Sequence, residues 1–398
     1  MSKKNYDIYF DLGSSKIRAV AFNQNQKEDK IFLEKNNICS LKAKKLDFID
    51  TDKNIENIIH QLEKKTTLYM NSINLMVDTS DALSVSLSLS KRSDGKKIEK
   101  KDIQYLIQDA KQQILKFYPN QTIIHIIVSN YNIDNINYDY FPINKDYKFL
   151  SIDIFFICYP KKLLESLENL FRKHQISINQ FLCSSYTKSL NYKEQFSNFE
   201  KIAFIDIGYE KTSIIIYNNE KLKAFNVLPI GGNHITKDIS KILDLSIEDS
   251  ELLKQNLSND ILFSENSQDS KIFEADFLNK SKNKEISMGL IKEIIFSRID
   301  EILNLSLDAI KFHEESSIIQ KLKIVLTGDG SRILDNNYII TKEIFPLFDQ
   351  IDFLLETPIN ICESGLKLTQ GLNKQEVVIV PKKIRTTGFF ERLFHFFK

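Results

Sequence analysis

Apolar and polar positions form the same pattern twice in this chain, about half its length apart. The apolar run Tyr6–Asp11 ends in an acid, a turn of small and polar residues follows at Leu12–Lys16, and a second apolar run continues to Asn23. The segment from Ile202 to Tyr217 repeats this order. Short β-forming runs on both sides of a tight turn are typical of hairpins. The repeat therefore predicts two related α/β lobes, each opened by a hairpin whose first strand ends in an acid.

A block of different character lies between the two repeats. Within Leu83–Cys158, the charged segment Lys91–Lys101 predicts a loop, and the rest predicts one helix and two strands. These elements are the helix Asp102–Phe117 and the strands Thr122–Ser129 and Phe149–Cys158. The block is flanked by apolar residues at helical spacing over Asn54–Tyr69 and Lys161–His174. We expect a small α+β subdomain inserted into the first lobe.

The second half of the chain alternates helical and strand patterns. Helices are predicted at Asn233–Leu243 and, as a long amphipathic element, at Gly289–His313. The buried strand Leu322–Leu326 ends at the turn Thr327–Gly330, and the polar segment Ser258–Lys284 predicts a loop. These elements complete an α/β second lobe.

Composition limits the classes of function. The chain has 398 residues, enough for about two to four domains, and 42% hydrophobic residues, enough for sizeable cores. The formal net charge is +1, which excludes a global polycation for nucleic acid, so no nucleic-acid partner is expected. Four scattered cysteines without a CxxC pair predict buried, reduced thiols.

The N-terminal segment Met1–Asp7 has no apolar core of a secretory signal. Nowhere does the chain approach about 18 consecutive uncharged apolar residues, the length a membrane-spanning helix requires. We therefore expect the protein in the cytosol, without a transmembrane helix.

Two facing hairpins of this kind can form a phosphate clamp. Turns rich in small residues direct backbone N–H groups towards phosphate oxygens, and the acid that ends each strand can hold Mg²⁺, mostly through water. Either motif alone is more simply an ordinary hairpin, but the repetition favours the phosphate site. The predicted residues are Asp11, Gly13, Ser14, Ser15 and Lys16 in the first hairpin, and Asp206, Gly208, Lys211 and Thr212 in the second. Asp11 and Asp206 are the predicted metal ligands.

Three further motifs are compatible with a nucleotide. The Gly231–Gly232–Asn233 segment opens a helix, whose N-terminus favours an anion, or else is a plain capped turn. Glu251 and Lys254 share a helix face and can bracket a ribose and a base, or form a surface ion pair. The turn Gly328–Asp329–Gly330 allows a flat base to approach the backbone, although such turns are also common in loops.

The C-terminal segment, residues 388–398, segregates aromatic from polar side chains when arranged as a helix. The aromatic and aliphatic face suits the boundary between lipid headgroups and acyl chains, and nearby Lys382, Lys383 and Arg385 favour anionic lipid. Docking on the protein's own core or in a partner's groove is the alternative. The predicted membrane residues are Phe389, Phe390, Leu393, Phe394, Phe396 and Phe397, with Arg392 and Lys398.

Together, these motifs resemble the FtsA family of the actin, heat-shock chaperone ATPase and sugar-kinase superfamily. The resemblance covers nearly the whole chain and is clearest at Phe10–Ile17, Pro229–Ile239, Ile324–Gly328 and the terminal helix. It implies an α/β actin-like, two-lobed ATPase fold with duplicated ribonuclease-H-like lobes and an inserted α+β subdomain. The implied divisions are a first-lobe core at 4–82, 159–195 and about 361–375, the insert at 83–158, a second-lobe core at 200–234 and about 300–360 with its subdomain at 235–299, a linker at 376–387 and the membrane-targeting helix at 388–398.

The resemblance also implies a function. Members of this family bind ATP with Mg²⁺ between the lobes, polymerise at the cytoplasmic face of the inner membrane at the division site, hold FtsZ there and recruit later division proteins. The insert would serve the later proteins, and the FtsZ tail would contact the long helix near Arg298 and Glu301. The implied partners are FtsZ, further copies of this chain, later division proteins and anionic lipid.

One departure from the family pattern affects the expected enzyme activity. The family's second phosphate loop typically reads Asp-x-Gly-Gly-Gly-Thr-Thr-Asp, whereas Tyr209 and Glu210 replace two of these glycines here. We therefore expect at most a weak ATPase and assign no catalytic residue. The alternatives are a PilM-like pilus-assembly ATPase, which shares the insert but leaves the terminal helix unexplained, and a metabolite kinase of the same superfamily. A chaperone is disfavoured because no peptide-binding domain follows the second lobe.

Overall fold

The computed structural model describes residues 5–26, 29–42, 45–142, 144–256, 272–273, 286–313, 322–334 and 351–371. Within these residues the strands are β1 (Tyr6–Leu12), β2 (Lys16–Asn23), β3 (Lys30–Asn36), β4 (Ser40–Lys42), β5 (Lys45–Asp47), β6 (Ser72–Val77), β7 (Leu83–Lys97), β8 (Gln121–Ile133), β9 (Ile136–Tyr138), β10 (Asp146–Pro160), β11 (Ser177–Cys183), β12 (Lys201–Ile207), β13 (Thr212–Asn218), β14 (Lys221–Leu228), β15 (Ile272–Phe273), β16 (Ile286–Ser287), β17 (Lys323–Thr327) and β18 (Ile351–Phe353). The helices are α1 (Ile49–Thr66), α2 (Lys100–Phe117), α3 (Lys161–Arg172), α4 (Ser184–Tyr192), α5 (Gly232–Leu243), α6 (Ile247–Asn256), α7 (Met288–His313) and α8 (Pro358–Thr369), with 3-10 helices at Lys193–Phe196 and Asp329–Ile333.

The two predicted lobes have sheets of the same topology. The first lobe has the strand order β3-β2-β1-β6-β11, and the second lobe has β14-β13-β12-β17-β18. In both sheets the opening three strands are antiparallel and the last two are parallel to the first strand. The repeat seen in the sequence is therefore confirmed as a duplicated five-stranded sheet.

The central strands are apolar on both faces, as expected for strands that are buried on both sides of a sheet. Five consecutive residues of β1 and six of β12 are buried. The helix α8 packs on β1 and β2, and α7 packs on β13, β14 and α5. One core cluster extends from Phe10 in the first sheet to Phe204 and Val325 in the second, so the lobes share an apolar base.

The insert forms a sheet of its own, with the order β7-β10-β8-β9 and α2 packed against it. The predicted loop at Lys91–Lys101 is wrong over most of its length, because β7 continues to Lys97 and pairs with β10. Four strands therefore stand where the sequence predicted two. The charged side chains in this half of β7 have the composition of a loop. Its backbone is nevertheless paired with β10.

Two connections cross between the lobes. The first runs from α4 through the 3-10 helix at Lys193–Phe196 into β12, and the second runs from β18 to α8. Since α4 packs against α8, the two crossings lie side by side below the cleft. These crossings are the two places in the described residues where the chain passes from one lobe to the other.

All four cysteines are buried and free, as predicted. Among the described residues, no helix is long and apolar enough to cross a membrane. The predicted terminal helix and linker lie outside the described residues, as does most of the predicted polar loop at Ser258–Lys284.

Candidate functional site

The two hairpin turns face each other across a cleft between the lobes. In the first turn the Gly13 N–H donates to the Lys16 carbonyl at 2.9 Å, and in the second the Gly208 N–H donates to the Lys211 carbonyl at 2.8 Å. The two turns therefore share the same glycine-to-lysine backbone hydrogen bond. The residues that line the cleft are Asp11, Leu12, Gly13, Ser14, Ser15, Arg18, Leu41, Asp78, Ser184, Lys188, Asp206, Gly208, Tyr209, Glu210, Lys211, Gly328, Asp329 and Glu356.

Asp11, the first predicted metal ligand, is buried and bonded to two neighbouring side chains. The Ser184 hydroxyl donates to its Oδ1 at 2.6 Å, and the Arg18 guanidinium donates to its Oδ2 at 3.1 Å. Ser184 begins α4, which follows β11 at the same edge of the sheet. Both carboxylate oxygens therefore already have a partner within the first lobe.

Arg18 is the functional residue of the first hairpin that the sequence motifs missed. It lies directly opposite Asp11 in the β1–β2 ladder, and its Nη2 reaches Asp329 of the second lobe at 2.6 Å. Burial disfavours the charged guanidinium, but the adjacent carboxylates outweigh this effect and raise the pKa of Arg18 above its ordinary value. Counting residues across the predicted hairpin would have placed the arginine beside the acid.

Asp206, the second predicted metal ligand, is bound by a lysine that no motif indicated. Lys188 of α4 places its Nζ 2.9 Å from Asp206 Oδ2 and 2.9 Å from Glu356 Oε1. Burial lowers the pKa of Lys188, but Asp206 and Glu356 outweigh this effect and hold it well above its usual range. Burial raises the pKa of Glu356 to about 7, against the opposing attraction of Lys188.

A second lysine connects the two lobes across the cleft. Lys211 Nζ lies 2.9 Å from Asp78 Oδ2, where Asp78 follows the last residue of β6. Burial raises the pKa of Asp78, but Lys211 and the Ser185 N–H outweigh it, so the pKa is lowered to about 2. The predicted phosphate-loop lysine is therefore engaged with a first-lobe carboxylate.

The N-terminus of α5 is closed by the second hairpin turn. The Gly232 N–H donates to the Gly208 carbonyl at 2.9 Å, and the Asn233 N–H donates to the Tyr209 carbonyl at 2.7 Å. The Gly231 N–H donates to His234 Nδ1 at 3.1 Å. The N–H groups that the sequence offered to an anion are thus bonded to the protein itself.

Glu251 and Lys254 form the pair that their spacing predicted, on α6 beside α5. Lys254 Nζ lies 2.7 Å from Glu251 Oε2 and 3.1 Å from the Gly232 carbonyl, and it is 5.7 Å from the centre of the Tyr209 ring. Glu251, Lys254 and the Gly231–Asn233 segment do not line the cleft. The side chain of Tyr209 thus lies on the path between the phosphate loops and this pair.

The turn after β17 packs tightly against the second hairpin. Gly328 has φ +87°, and an added Cβ there would collide with the backbone of Ile207 at 2.5 Å. The same substitution at Gly330 would meet Ile207 at 2.7 Å. Thr212 is buried, and its hydroxyl donates to the Ile230 carbonyl at 2.8 Å. These predicted residues therefore hold the two loops together.

These contacts decide how a nucleotide with a metal would fit. The two acids suited to Mg²⁺ are already neutralised by Arg18 and Lys188, and the described residues contain no group of three or more His, Cys, Asp or Glu side chains arranged to hold a metal. Six carboxylate side chains and three basic ones line the cleft, a balance that disfavours an anion. As they are paired here, the two acids do not fit a divalent cation.

Arg298 lies on α7 and is held by two acids. Its Nε and Nη2 donate to the two oxygens of Asp238 at 2.6 and 3.0 Å, and its Nη1 donates to Glu301. These bonds raise the pKa of Arg298. The two residues predicted for the FtsZ tail therefore contact each other on the surface of the second lobe. The predicted membrane residues lie outside the described part of the chain.

Sequence comparison identifies related proteins. Residues 203–374 match the family model described as cell division protein FtsA. FtsA of Agrobacterium fabrum is 25% identical over 258 residues, which cover 64% of this chain and 56% of that protein. FtsA of Bacillus subtilis is 24% identical over 317 residues, covering 77% of this chain and 69% of that protein. The chain thus spans little more than half of the Agrobacterium relative.

Structural comparison gives the fold. The PilM–PilN type IV pilus biogenesis complex aligns with a TM-score of 0.59 at 10% identity, over 89% of each chain. MreB5 of Spiroplasma citri bound to ADP aligns with a TM-score of 0.52 at 12% identity, over 93% of this chain and 97% of that one. Both support the actin-like architecture read from the duplicated sheets. This chain is therefore similar to FtsA cell-division proteins over residues 203–374, and it has an actin-like fold.

Proposed function

We propose that this protein is an actin-like scaffold of the division machinery, which polymerises at the cytoplasmic face of the inner membrane and attaches FtsZ polymers there. The observation that carries the proposal is the FtsA match over residues 203–374, on a fold whose first lobe contains the separate sheet β7-β10-β8-β9. An insert with a sheet of its own is a surface for neighbouring copies and for later division proteins. The protein is a scaffold first, and at most a weak ATPase.

ATP is the proposed ligand of the cleft, with a conformational rather than a catalytic role. The facing turns at Gly13 and Gly208 support this assignment, because their geometry is the same in both lobes. Low affinity is expected, since six carboxylate side chains, Glu210 among them, line the cleft. Mg²⁺ remains the family's usual companion of the nucleotide, but Asp11 and Asp206 are engaged with side chains of this chain.

Membrane attachment is assigned to residues 388–398. The aromatic face of this segment supplies apolar area, and each fully buried phenylalanine contributes about 1.5–3 kcal/mol, less at an interface. The preceding lysines and arginine add attraction to anionic lipid. FtsZ attachment is assigned to the surface of α7 around Arg298, because a guanidinium can bind a carboxylate of an acidic tail.

Sedimentation with lipid vesicles tests this function. Full-length protein should sediment with vesicles that contain anionic lipid, and a chain lacking residues 388–398 should stay in the supernatant with its melting temperature unchanged. A labelled FtsZ C-terminal tail peptide should sediment with the full-length protein and vesicles together. Equal sedimentation of both chains would contradict the anchor, and a peptide left in the supernatant would contradict the FtsZ contact.

A matched pair of variants separates apolar burial from charge. Phe390→Glu with Phe394→Glu places two acids on the aromatic face and should abolish sedimentation, because charged groups cannot enter the acyl boundary without a large cost. His395→Glu adds an acid on the polar face and should weaken binding only slightly. Equal loss in both variants would show that net charge, and not the aromatic face, controls membrane binding.

A PilM-like role in pilus assembly is the second candidate. Its support is the alignment with the PilM–PilN complex over 89% of the chain, which at 10% identity shows the fold alone. The two roles differ in their peptide partner and in the need for a terminal membrane helix. A protein that binds neither vesicles nor FtsZ tail peptide would favour this candidate.

A further inference from the structure

The two lobes are joined by ion pairs that belong to the chain itself. Arg18 reaches Asp329 at 2.6 Å, Lys211 reaches Asp78 at 2.9 Å, and Lys188 reaches Asp206 at 2.9 Å. Each pair has one partner in the first lobe and one in the second. The cleft is therefore bridged by three ion pairs between side chains of the two lobes.

Lys188 has the position and the contacts of a bound cation. It is 7% exposed, and it lies between Asp206, which is 6% exposed, and the buried carboxylate of Glu356. An ammonium group offers three donors and one positive charge, which suits two facing carboxylates. Two buried acids without this lysine would be left with uncompensated negative charge.

A divalent cation at this position would have to displace the ammonium group of Lys188. Mg²⁺ requires oxygen ligands at about 2.0–2.1 Å and keeps several water molecules. Lys188 binds Asp206 Oδ2 and also contacts Glu356, so its ammonium group occupies the space between the two carboxylates. Asp11 is also engaged, because Ser184 and Arg18 each donate to one of its two oxygens and Arg18 balances its charge.

The lysine also connects the two crossings between the lobes. Lys188 belongs to α4, at the start of the first crossing, and Glu356 lies between β18 and α8, on the second. Rotation of one lobe on the other would separate these groups in a buried site, where an unpaired charge is costly. The pair therefore resists opening from the base of the cleft.

We propose that Lys188 is a built-in cation that replaces a divalent metal between Asp206 and Glu356, so that the lobes stay closed without metal. The inference concerns the cleft alone and does not depend on the membrane or FtsZ contacts proposed above. It predicts that metal ions have no effect on the stability of the nucleotide-free protein. It also predicts that removal of the lysine creates a metal site.

Thermal unfolding of the full chain tests both statements, with Mg²⁺ or with EDTA and without nucleotide. Mg²⁺ should raise the melting temperature of the wild type by less than about 1 °C, and that of Lys188→Ala by about 3 °C or more. Lys193→Ala is the control, because this lysine lies on the same crossing but bonds to the Glu220 carbonyl. It should behave as the wild type does in both solutions.

A direct count of bound metal completes the test. The electron paramagnetic resonance signal of free Mn²⁺ should be unchanged when wild-type protein is added. Lys188→Ala protein should reduce it by one equivalent of Mn²⁺ per chain. One equivalent bound to the wild type would overturn the proposal, as would a Lys188→Ala protein that folds and binds none.

Hydrogen exchange on the wild type keeps the proposal falsifiable if Lys188→Ala does not fold. Protection of the two crossings, residues 192–200 and 354–357, should be the same in Mg²⁺ and in EDTA. A tenfold increase in protection with Mg²⁺ would show that metal closes the lobes, and would overturn the proposal. Vesicle sedimentation is independent of these results, so failure of the membrane role would remain separately visible.

Discussion

At the scale of single residues, the cleft depends on a few long side chains that pair with acids far away in sequence. Arg18 contacts Asp11 on the neighbouring strand, Glu34 on β3 and Asp329 across the cleft. A buried cation with several carboxylate partners is expensive to remove, because the acids are left without compensation.

Arg18→Met should lower the free energy of unfolding by about 3–5 kcal/mol, measured by urea denaturation at neutral pH. The side chain of Arg18 is 11% exposed, so solvent screens its pairs only weakly. Arg172→Met is the control, because Arg172 is 70% exposed and its pair with Glu168 is on the surface. That variant should change stability by less than about 1 kcal/mol. Equal effects would show that the Arg18 network contributes little.

At the scale of elements, the second hairpin turn and the N-terminus of α5 form one unit. The turn supplies carbonyl groups to the first N–H groups of the helix, at Gly232 and Asn233. Backbone atoms of the turn lie so close to Gly231 that a side chain at this position would collide with them. Packing therefore requires glycine at position 231 but not at position 232.

Gly231→Ala should destabilise the protein by about 2 kcal/mol or more, because its Cβ would lie 2.5 Å from the Gly208 carbonyl oxygen and 2.8 Å from the Lys211 nitrogen. Gly232→Ala meets its nearest atom at 3.7 Å and should be neutral within about 1 kcal/mol. Thermal unfolding of the two variants measures the difference. A Gly231→Ala protein as stable as Gly232→Ala would contradict the close packing.

The turn itself also predicts how nucleotide affinity can be restored. Tyr209→Gly with Glu210→Gly removes one bulky and one negative side chain from the cleft, while the backbone carbonyls can still bond to α5. Millimolar ATP should then raise the melting temperature more than it does in the wild type, by mass action on the folded state. If ATP shifts neither protein, with or without Mg²⁺, the cleft is not the nucleotide site.

At the scale of the whole molecule, two duplicated sheets share an apolar base, and a third sheet projects from the first lobe. The long helix α7 lies on the second lobe and carries Arg298 on its surface. This arrangement separates the cleft from the surface proposed for FtsZ. Changes at one should therefore leave the other intact.

Arg298→Glu should weaken binding of an FtsZ tail peptide by more than about 1.4 kcal/mol, a factor of ten, without affecting vesicle binding. Asp238→Asn should strengthen it, because Asp238 competes with the acidic peptide for the guanidinium. Fluorescence anisotropy with labelled peptide measures both. A peptide that binds the wild type and Arg298→Glu equally would place the contact elsewhere.

The sequence by itself determined the duplicated hairpins, the acid at the end of each first strand and the inserted subdomain. These features are encoded locally, in apolar runs of strand length and in the small residues of tight turns, so they can be read without knowing what lies opposite. The charged half of β7 shows the limit of such patterns. Its exposed side chains resemble a loop, while its hydrogen bonds depend on β10.

Only the tertiary structure decided what the acids of the cleft contact. Asp206 pairs with Lys188, and Arg18 bonds to Asp329, 311 residues away. No local pattern reports such pairs, because α4 carries Lys188 among small polar residues and its partners come from the other lobe. Metal ligands and ion-pair partners are the same residue types in a sequence, and the difference between them is set by which cation the fold places beside them.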